Sequence, residues 1–158
     1  MELLDIIRKH IDLSIQRDAL KKSAVKDQDA LNDINSELEK LDESYKIKTS
    51  MLDKSAFNDL ISSLNEIKTT YKFKLEHFQA QYASAGNKVN ALYEANNGEE
   101  LNSYDRNLRD IYNNAGLDRQ DEINKLVPKI EKYESFINNL NDKYTQRFGE
   151  DVPTFVKK

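Results

Sequence analysis

The sequence predicts an all-α fold, an elongated antiparallel helical bundle or coiled coil of three long helices, the third broken or kinked. Three observations support this prediction. Residues 1–85 contain neither glycine nor proline, which leaves little room for the turns that sheets require. Apolar residues recur at heptad spacing over long stretches. Apolar residues make up 38% of the chain and charged residues 33%, a balance typical of thin cores under solvated surfaces.

The first predicted helix covers residues 2–50. With Leu3 and Ile6 as the first core positions, eleven of the fifteen heptad core positions up to Leu52 are apolar or aromatic. The exceptions are His10, Arg17, Asp27 and Lys48. A helix of this length is not stable by propensity alone and therefore needs a partner along most of its length.

The second predicted helix covers residues 54–95. Asp53 or Ser50 supplies a short side-chain oxygen that can cap its first turn. Ala95-Asn96-Asn97-Gly98 forms the clearest turn in the chain, because Asn tolerates the left-handed conformation and Gly adopts it freely. Gly86 lies inside the apolar array, so a helix break at residues 85–87 is an alternative.

The third predicted helix covers residues 100–148. Gly116 and Asp118 have the order of a helix C-terminal cap followed by a new N-cap, and Pro128 predicts a kink or a break before Lys129. Gly149 is expected to end the helix. The domain organisation is therefore a helical bundle over residues 1–149 and an extended tail over residues 150–158.

We expect no enzymatic activity, no catalytic residues, no cofactor and no metal. Cysteine is absent, and the four glycines cannot form a phosphate-binding loop. The two histidines, His10 and His77, lack the Glu-x-x-His pattern of carboxylate-bridged metal sites. His10 lies at a heptad core position, where we expect a partly buried polar residue.

The charge balance argues against nucleic acid or membrane as a partner. Lys and Arg total 24 and Asp and Glu total 28, so the net charge is −4 at pH 7. A weakly acidic chain is a poor match for polyanions, and no Lys-rich amphipathic face stands out. No apolar run reaches the ~20 residues of a membrane span, and the first residues do not have the pattern of a secretory signal. We therefore expect a cytoplasmic protein.

Two groups of residues are candidates for partner binding. The tail contains Val152, Phe155 and Val156 around Pro153, and an extended apolar peptide of this kind can fill a groove on another protein. The alternative is that Phe155 and Val156 fold back on the end of the bundle or are disordered. Arg17 and Asp27 interrupt the first apolar seam, where polar residues can select a partner or a register. The alternative is that these two residues lie where the helices of the bundle diverge and their side chains reach water.

The sequence thus predicts a non-enzymatic protein-interaction module. Its expected role is that of a chaperone or adaptor that presents long helix faces to a protein partner in an export or assembly system. Self-association through the helical seam is a further expectation. The alternative is a structural spacer or connector in a large assembly of the phage or secretion-machine type. No motif is specific enough to assign a family.

Overall fold

A computed structural model describes residues 1–25 and 27–153 of the chain. These residues form four α-helices and no strand: α1 (Leu3–Lys22), α2 (Gln28–Ser50), α3 (Lys54–Ala95) and α4 (Ser103–Phe148). The all-α class and the bundle are confirmed. The number of helices differs from the prediction, because the segment 2–50 forms two helices rather than one.

The break between α1 and α2 is made by a short connection and a cap. The first helix ends at Lys22 and the second begins at Gln28, and the Oδ1 atom of Asp27 accepts a hydrogen bond of 3.0 Å from the backbone N–H of Ala30. This bond satisfies one of the free N–H groups in the first turn of α2. Asp27 is therefore a helix cap, and the expectation that it interrupts a continuous seam is wrong.

The other predicted turns are found where expected. Asp53 Oδ1 accepts a 2.8 Å hydrogen bond from Ala56 N at the start of α3, and Asn102 Oδ1 accepts one of 2.8 Å from Asp105 N near the start of α4. Gly98 and Gly149 follow the ends of α3 and α4 with φ values of +73° and +70°. Both glycines occupy the left-handed region that other residues enter at a cost.

The predicted breaks inside the later helices are absent. Gly86 lies within α3, and both Gly116 and Pro128 lie within α4, which is one helix of 46 residues. Gly116 is therefore not a C-terminal cap, and Asp118 does not start a new helix. Packing against a neighbouring helix can hold a residue of low helix propensity in helical conformation.

The chain divides into two compact units. The core unit consists of Met1–Thr69 and Pro128–Lys158, and the hairpin unit consists of Thr70–Val127. The core unit contains α1, α2, the first part of α3 and the last part of α4. The hairpin unit contains only the remaining parts of α3 and α4 and the turn that joins them.

The core unit holds most of the buried apolar side chains. Its least exposed residues come from all four helices and include Ile7, Ile11, Ile61, Leu64 and Leu140. At one end, the ring of Phe57 packs edge-on against Tyr144 and Phe148, with centroid distances of 5.9 Å to each. Edge-to-face packing of this kind stabilises aromatic clusters beyond the area they bury.

Candidate functional site

The predicted partner-binding residues do not form one site. Arg17 is half-buried and its Nε atom lies 3.4 Å from Oδ1 of its neighbour Asp18. Asp27 caps α2, as described above. Val152 is 3% exposed, so its side chain is not presented to a partner in this structure. Phe155 and Val156 lie outside the described residues.

His10 is the centre of a polar cluster in the core unit. Its Nε2 atom lies 2.8 Å from Oδ1 of Asp42 on α2, and its Nδ1 atom lies 3.3 Å from Oγ of Ser14, one turn further along α1. Its ring packs edge-on against Phe136 of α4, with centroids 5.1 Å apart. Phe136 also contacts the ring of Tyr45, at a centroid distance of 5.3 Å. The cluster joins three helices.

The cluster contains the three residue types of a serine-hydrolase triad, Ser14, His10 and Asp42, but its serine is not accessible to a substrate. A serine nucleophile must reach a substrate carbonyl, with hydrogen-bond donors placed for the developing oxyanion. Ser14 is only 3% exposed and lies in the middle of α1. A structural role accounts for the cluster, because His10 is half-buried and each of its two ring nitrogens has a hydrogen-bond partner.

Ionic and hydrogen-bonding contacts extend this cluster along α1 and α4. Lys132 of α4 lies 3.1 Å from Asp18 of α1, and Lys129 lies 3.9 Å from Asp12. Burial alone would raise the pKa of Asp18, but the hydrogen bond from Lys132 and the charges of Lys132 and Arg17 outweigh it and lower the pKa. Burial raises the pKa of Tyr45, whose hydroxyl donates a 2.7 Å bond to Asn139.

A basic hollow of about 450 Å³ lies near the C-terminal ends of α2 and α4, where the core unit brings them together. Its lining contains three cations and no carboxylate: Lys46, Lys143 and Arg147, with Thr49, Ser50 and Gln146. Arg147 donates to the backbone oxygens of Leu52 and Thr49, the second at 2.8 Å. Cations at helix C-termini offset the negative end of the helix dipole, which accounts for this grouping.

The hairpin unit has a thinner core than the core unit. Of the described residues, Ala85, Leu101 and Leu126 are its buried apolar side chains, whereas sixteen are buried in the core unit. Between its helices, Gln81 Oε1 is buried without a hydrogen-bond partner. Arg109 donates a 3.2 Å bond across the hairpin to the hydroxyl of Tyr93. The small number of buried apolar side chains predicts that the hairpin is less stable than the core unit.

The hairpin unit also exposes large apolar side chains on both of its helices. Seven of the eleven exposed large apolar residues of the described chain belong to it, although it contains about a third of the residues. The most exposed members are Tyr104 at 70%, Phe73 and Leu117 at 67%, and Ile111 at 60%. This concentration makes the hairpin unit the candidate interaction surface among the described residues.

One face of the hairpin unit contains a shallow groove of about 410 Å³. No charged residue lines it: the lining is Tyr82, Ala83, Ala85, Gly86, Tyr112, Asn113, Gly116 and Leu117. The helices approach closely at Gly116, where an added Cβ would lie 3.6 Å from the Cβ of Ala85. At Gly86 an added Cβ would have no atom within 4 Å, so the space beside this glycine is open.

The sequence reasoning missed this surface for an identifiable reason. Heptad spacing places Tyr82 and Tyr112 in apolar arrays, but it does not show which part of each array lacks a neighbouring helix. The available signal was a glycine within the apolar stretch of each helix, Gly86 ten residues before Asn96 and Gly116 eighteen residues after Gly98. An antiparallel hairpin brings Gly86 and Gly116 to the same groove.

Comparisons with known proteins do not identify a relative. The chain matches no protein-family model, and no curated protein or solved structure shows significant similarity to it. Across residues 1–25 and 27–153, none of the helices combines the length and the apolar character needed to cross a bilayer. The same residues contain no group of three or more metal-ligating side chains.

Proposed function

We propose that this protein is a non-enzymatic protein-interaction module, an adaptor or chaperone that presents helix faces to a protein partner in an export or assembly system. The observation that supports the proposal is the set of exposed apolar residues on the hairpin unit. These side chains cost free energy in water, and burial against a partner recovers about 25 cal/mol for each Å² of apolar surface covered.

The sequence of the hairpin unit favours a protein as the partner. Its charges are mixed in sign, since residues 70–127 contain seven Lys and Arg and nine Asp and Glu. Nucleic acid and anionic lipid attract surfaces with a clear excess of cations. Aromatic residues such as Tyr82 and Tyr104 are enriched at the centres of protein interfaces, where the ring is buried and the hydroxyl stays hydrated.

A structural spacer remains the alternative function. A spacer needs length and stiffness, and its surface can be polar on every side. The exposed Leu117 and Ile111 side chains have no use in such a role, so their presence favours the interaction module.

Site-specific photo-crosslinking in cells tests the proposed function. A photoreactive residue would replace Leu117 or Tyr104 in the hairpin unit, and Met51, which is 74% exposed in the core unit, would serve as the matched control. We expect discrete protein adducts from the two hairpin positions and none from position 51. Absence of adducts from both hairpin positions, or equal adducts from all three, would contradict the proposal.

A further inference from the structure

We infer that the hairpin unit binds a second copy of itself, face to face about a two-fold axis, and that the groove beside Gly86 and Gly116 lies at the centre of this interface. The inference rests on the proposed function, because it names the partner of one part of the exposed apolar set, the groove face that contains Tyr82 and Leu117. The partner is a second copy of this chain, and the interface is the face of the hairpin that contains the groove.

The core unit shows what covers this pair of helices. There, α4 contacts α1 through the ring of His10, α2 through Tyr45 and α3 through Phe57. The hairpin α1–α2 thus covers α3 and α4 and completes a four-helix packing. The hairpin unit itself contains parts of α3 and α4 and the turn between them, and no residue of α1 or α2. A second helical hairpin would supply the missing half of a four-helix bundle, the arrangement in which such helices bury their faces most fully.

The size of the hairpin fits a stable dimer. Residues 70–95 of α3 span about 39 Å at ~1.5 Å per residue, and two helices side by side are about 20 Å wide. One face therefore measures roughly 780 Å². A standard specific interface buries about 800 Å² on each partner, so a pairing of whole faces reaches this size and a single helix laid in the groove does not.

A two-fold arrangement allows this face to pack on itself. Leu117 is 67% exposed at the edge of the groove, and the space beside Gly86 on the other helix is open, with no atom within 4 Å of an added Cβ. A two-fold axis places residue i of one copy against residue j of the other and repeats the contact in reverse. Leu117 of each chain then fills the open space beside Gly86 of its partner, and two leucine side chains leave water in each dimer.

The charges permit the approach of a second copy. The net charge of residues 70–127 is −2, from seven cationic and nine anionic side chains, and none of these lines the groove. Two hairpin units, each with a net charge of −2, repel each other only weakly. A strongly charged partner would gain little from a surface without charge at its centre.

Sedimentation velocity and light scattering over about a hundredfold concentration range test the inference on the full chain. We expect a monomer–dimer equilibrium in the wild type and, for Leu117→Asp, a dimer dissociation constant at least about tenfold higher, because the new carboxylate would be buried without a partner. Ile111→Asp is the matched control. Ile111 is 60% exposed on the same helix, but it does not line the groove and lies about 120° around the helix from Leu117.

A second variant avoids the use of charge. Gly86→Leu places a side chain in the open space beside Gly86, improves helix propensity and should weaken the dimer by steric exclusion. Far-UV circular dichroism confirms that each variant keeps its helix content. A wild-type monomer across the whole range overturns the inference, as does a dimer that survives both Leu117→Asp and Gly86→Leu.

The outcomes separate this inference from the proposed function. A monomeric wild type whose position-117 adduct contains a different protein overturns self-association and supports the interaction module. A monomer that gives no adduct at either hairpin position overturns both. A dimer dissociated by Leu117→Asp but not by Ile111→Asp, with an adduct between two copies at position 117, supports both.

Discussion

The core unit and the hairpin unit both contain parts of α3 and α4, but only the core unit also contains α1 and α2. In the core unit, α1 and α2 pack onto α3 and α4, and residues such as Leu64 and Leu140 are completely buried. In the hairpin unit, neither α1 nor α2 contributes a residue, and Phe73 and Leu117 are 67% exposed. The burial of apolar side chains therefore follows the number of helices in each unit rather than helix content.

The largest expected effect comes from a cavity in the core unit. Leu64→Ala should lower the free energy of unfolding by about 2–5 kcal/mol, because Leu64 is 0% exposed and its side chain would leave a void. Leu117→Ala, at an exposed position of the hairpin unit, should change it by less than about 0.5 kcal/mol at concentrations where the chain is monomeric. Urea unfolding followed by circular dichroism measures both. A similar loss in the free energy of unfolding at both positions would show that the two units do not differ in burial.

A smaller effect is expected at the glycines of the hairpin unit. Gly86→Ala should stabilise the monomer by up to about 1 kcal/mol, since Gly86 is helical and its added methyl group meets no atom within 4 Å. Gly98→Ala should destabilise it by about 1 kcal/mol, because Gly98 has a φ of +73°. Thermal unfolding of dilute protein gives the sign of each change. A loss of stability with Gly86→Ala would mean that this part of α3 is not a regular helix.

The smallest effect concerns pH and the ion pairs of the core unit. The pKa of Asp18 is lowered in the folded state, so this carboxylate stabilises the fold above its unfolded pKa of about 3.9 and loses that contribution as the pH falls below it. The pKa of Glu150 is lowered in the same direction by its hydrogen bond with Lys54, so it acts in the same pH range.

Asp18→Asn should flatten the dependence of stability on pH below about 4 and cost no more than about 0.5 kcal/mol at pH 7, because the pair with Lys132 is partly exposed. Urea midpoints measured from pH 2 to 7 give this dependence, on which Lys132→Ala should have a similar effect. An unchanged slope in both variants would show that the α1–α4 pairs do not contribute to stability.

The heptad spacing predicted helices and much of the core but could not identify the neighbours of each helix. The break at residues 23–27 contains no glycine or proline, and only the capping side chain of Asp27 indicates it. Gly116 and Pro128 have the usual character of helix stops, yet α4 passes through both. Local propensities were overridden there by context that lies elsewhere in the chain.

The polar cluster of His10 shows the same limit at the level of a site. Asp42 is 32 positions from His10 in the sequence, and Phe136 belongs to another helix. Only the pairing of α1 with α2 and α4 brings them together. The groove at Gly86 and Gly116 likewise depends on the register of the hairpin, which the sequence defines only through its turn.

Hydrogen exchange along α3 compares the stability of the two units directly, because one continuous helix passes through both. Mass spectrometry would compare amides in residues 54–69 with those in 70–95, first in dilute protein and then at high concentration. We predict much faster exchange in 70–95 than in 54–69 in dilute protein, and a slowing confined to the hairpin unit when the concentration rises. Equal protection along the whole helix at both concentrations would contradict the account.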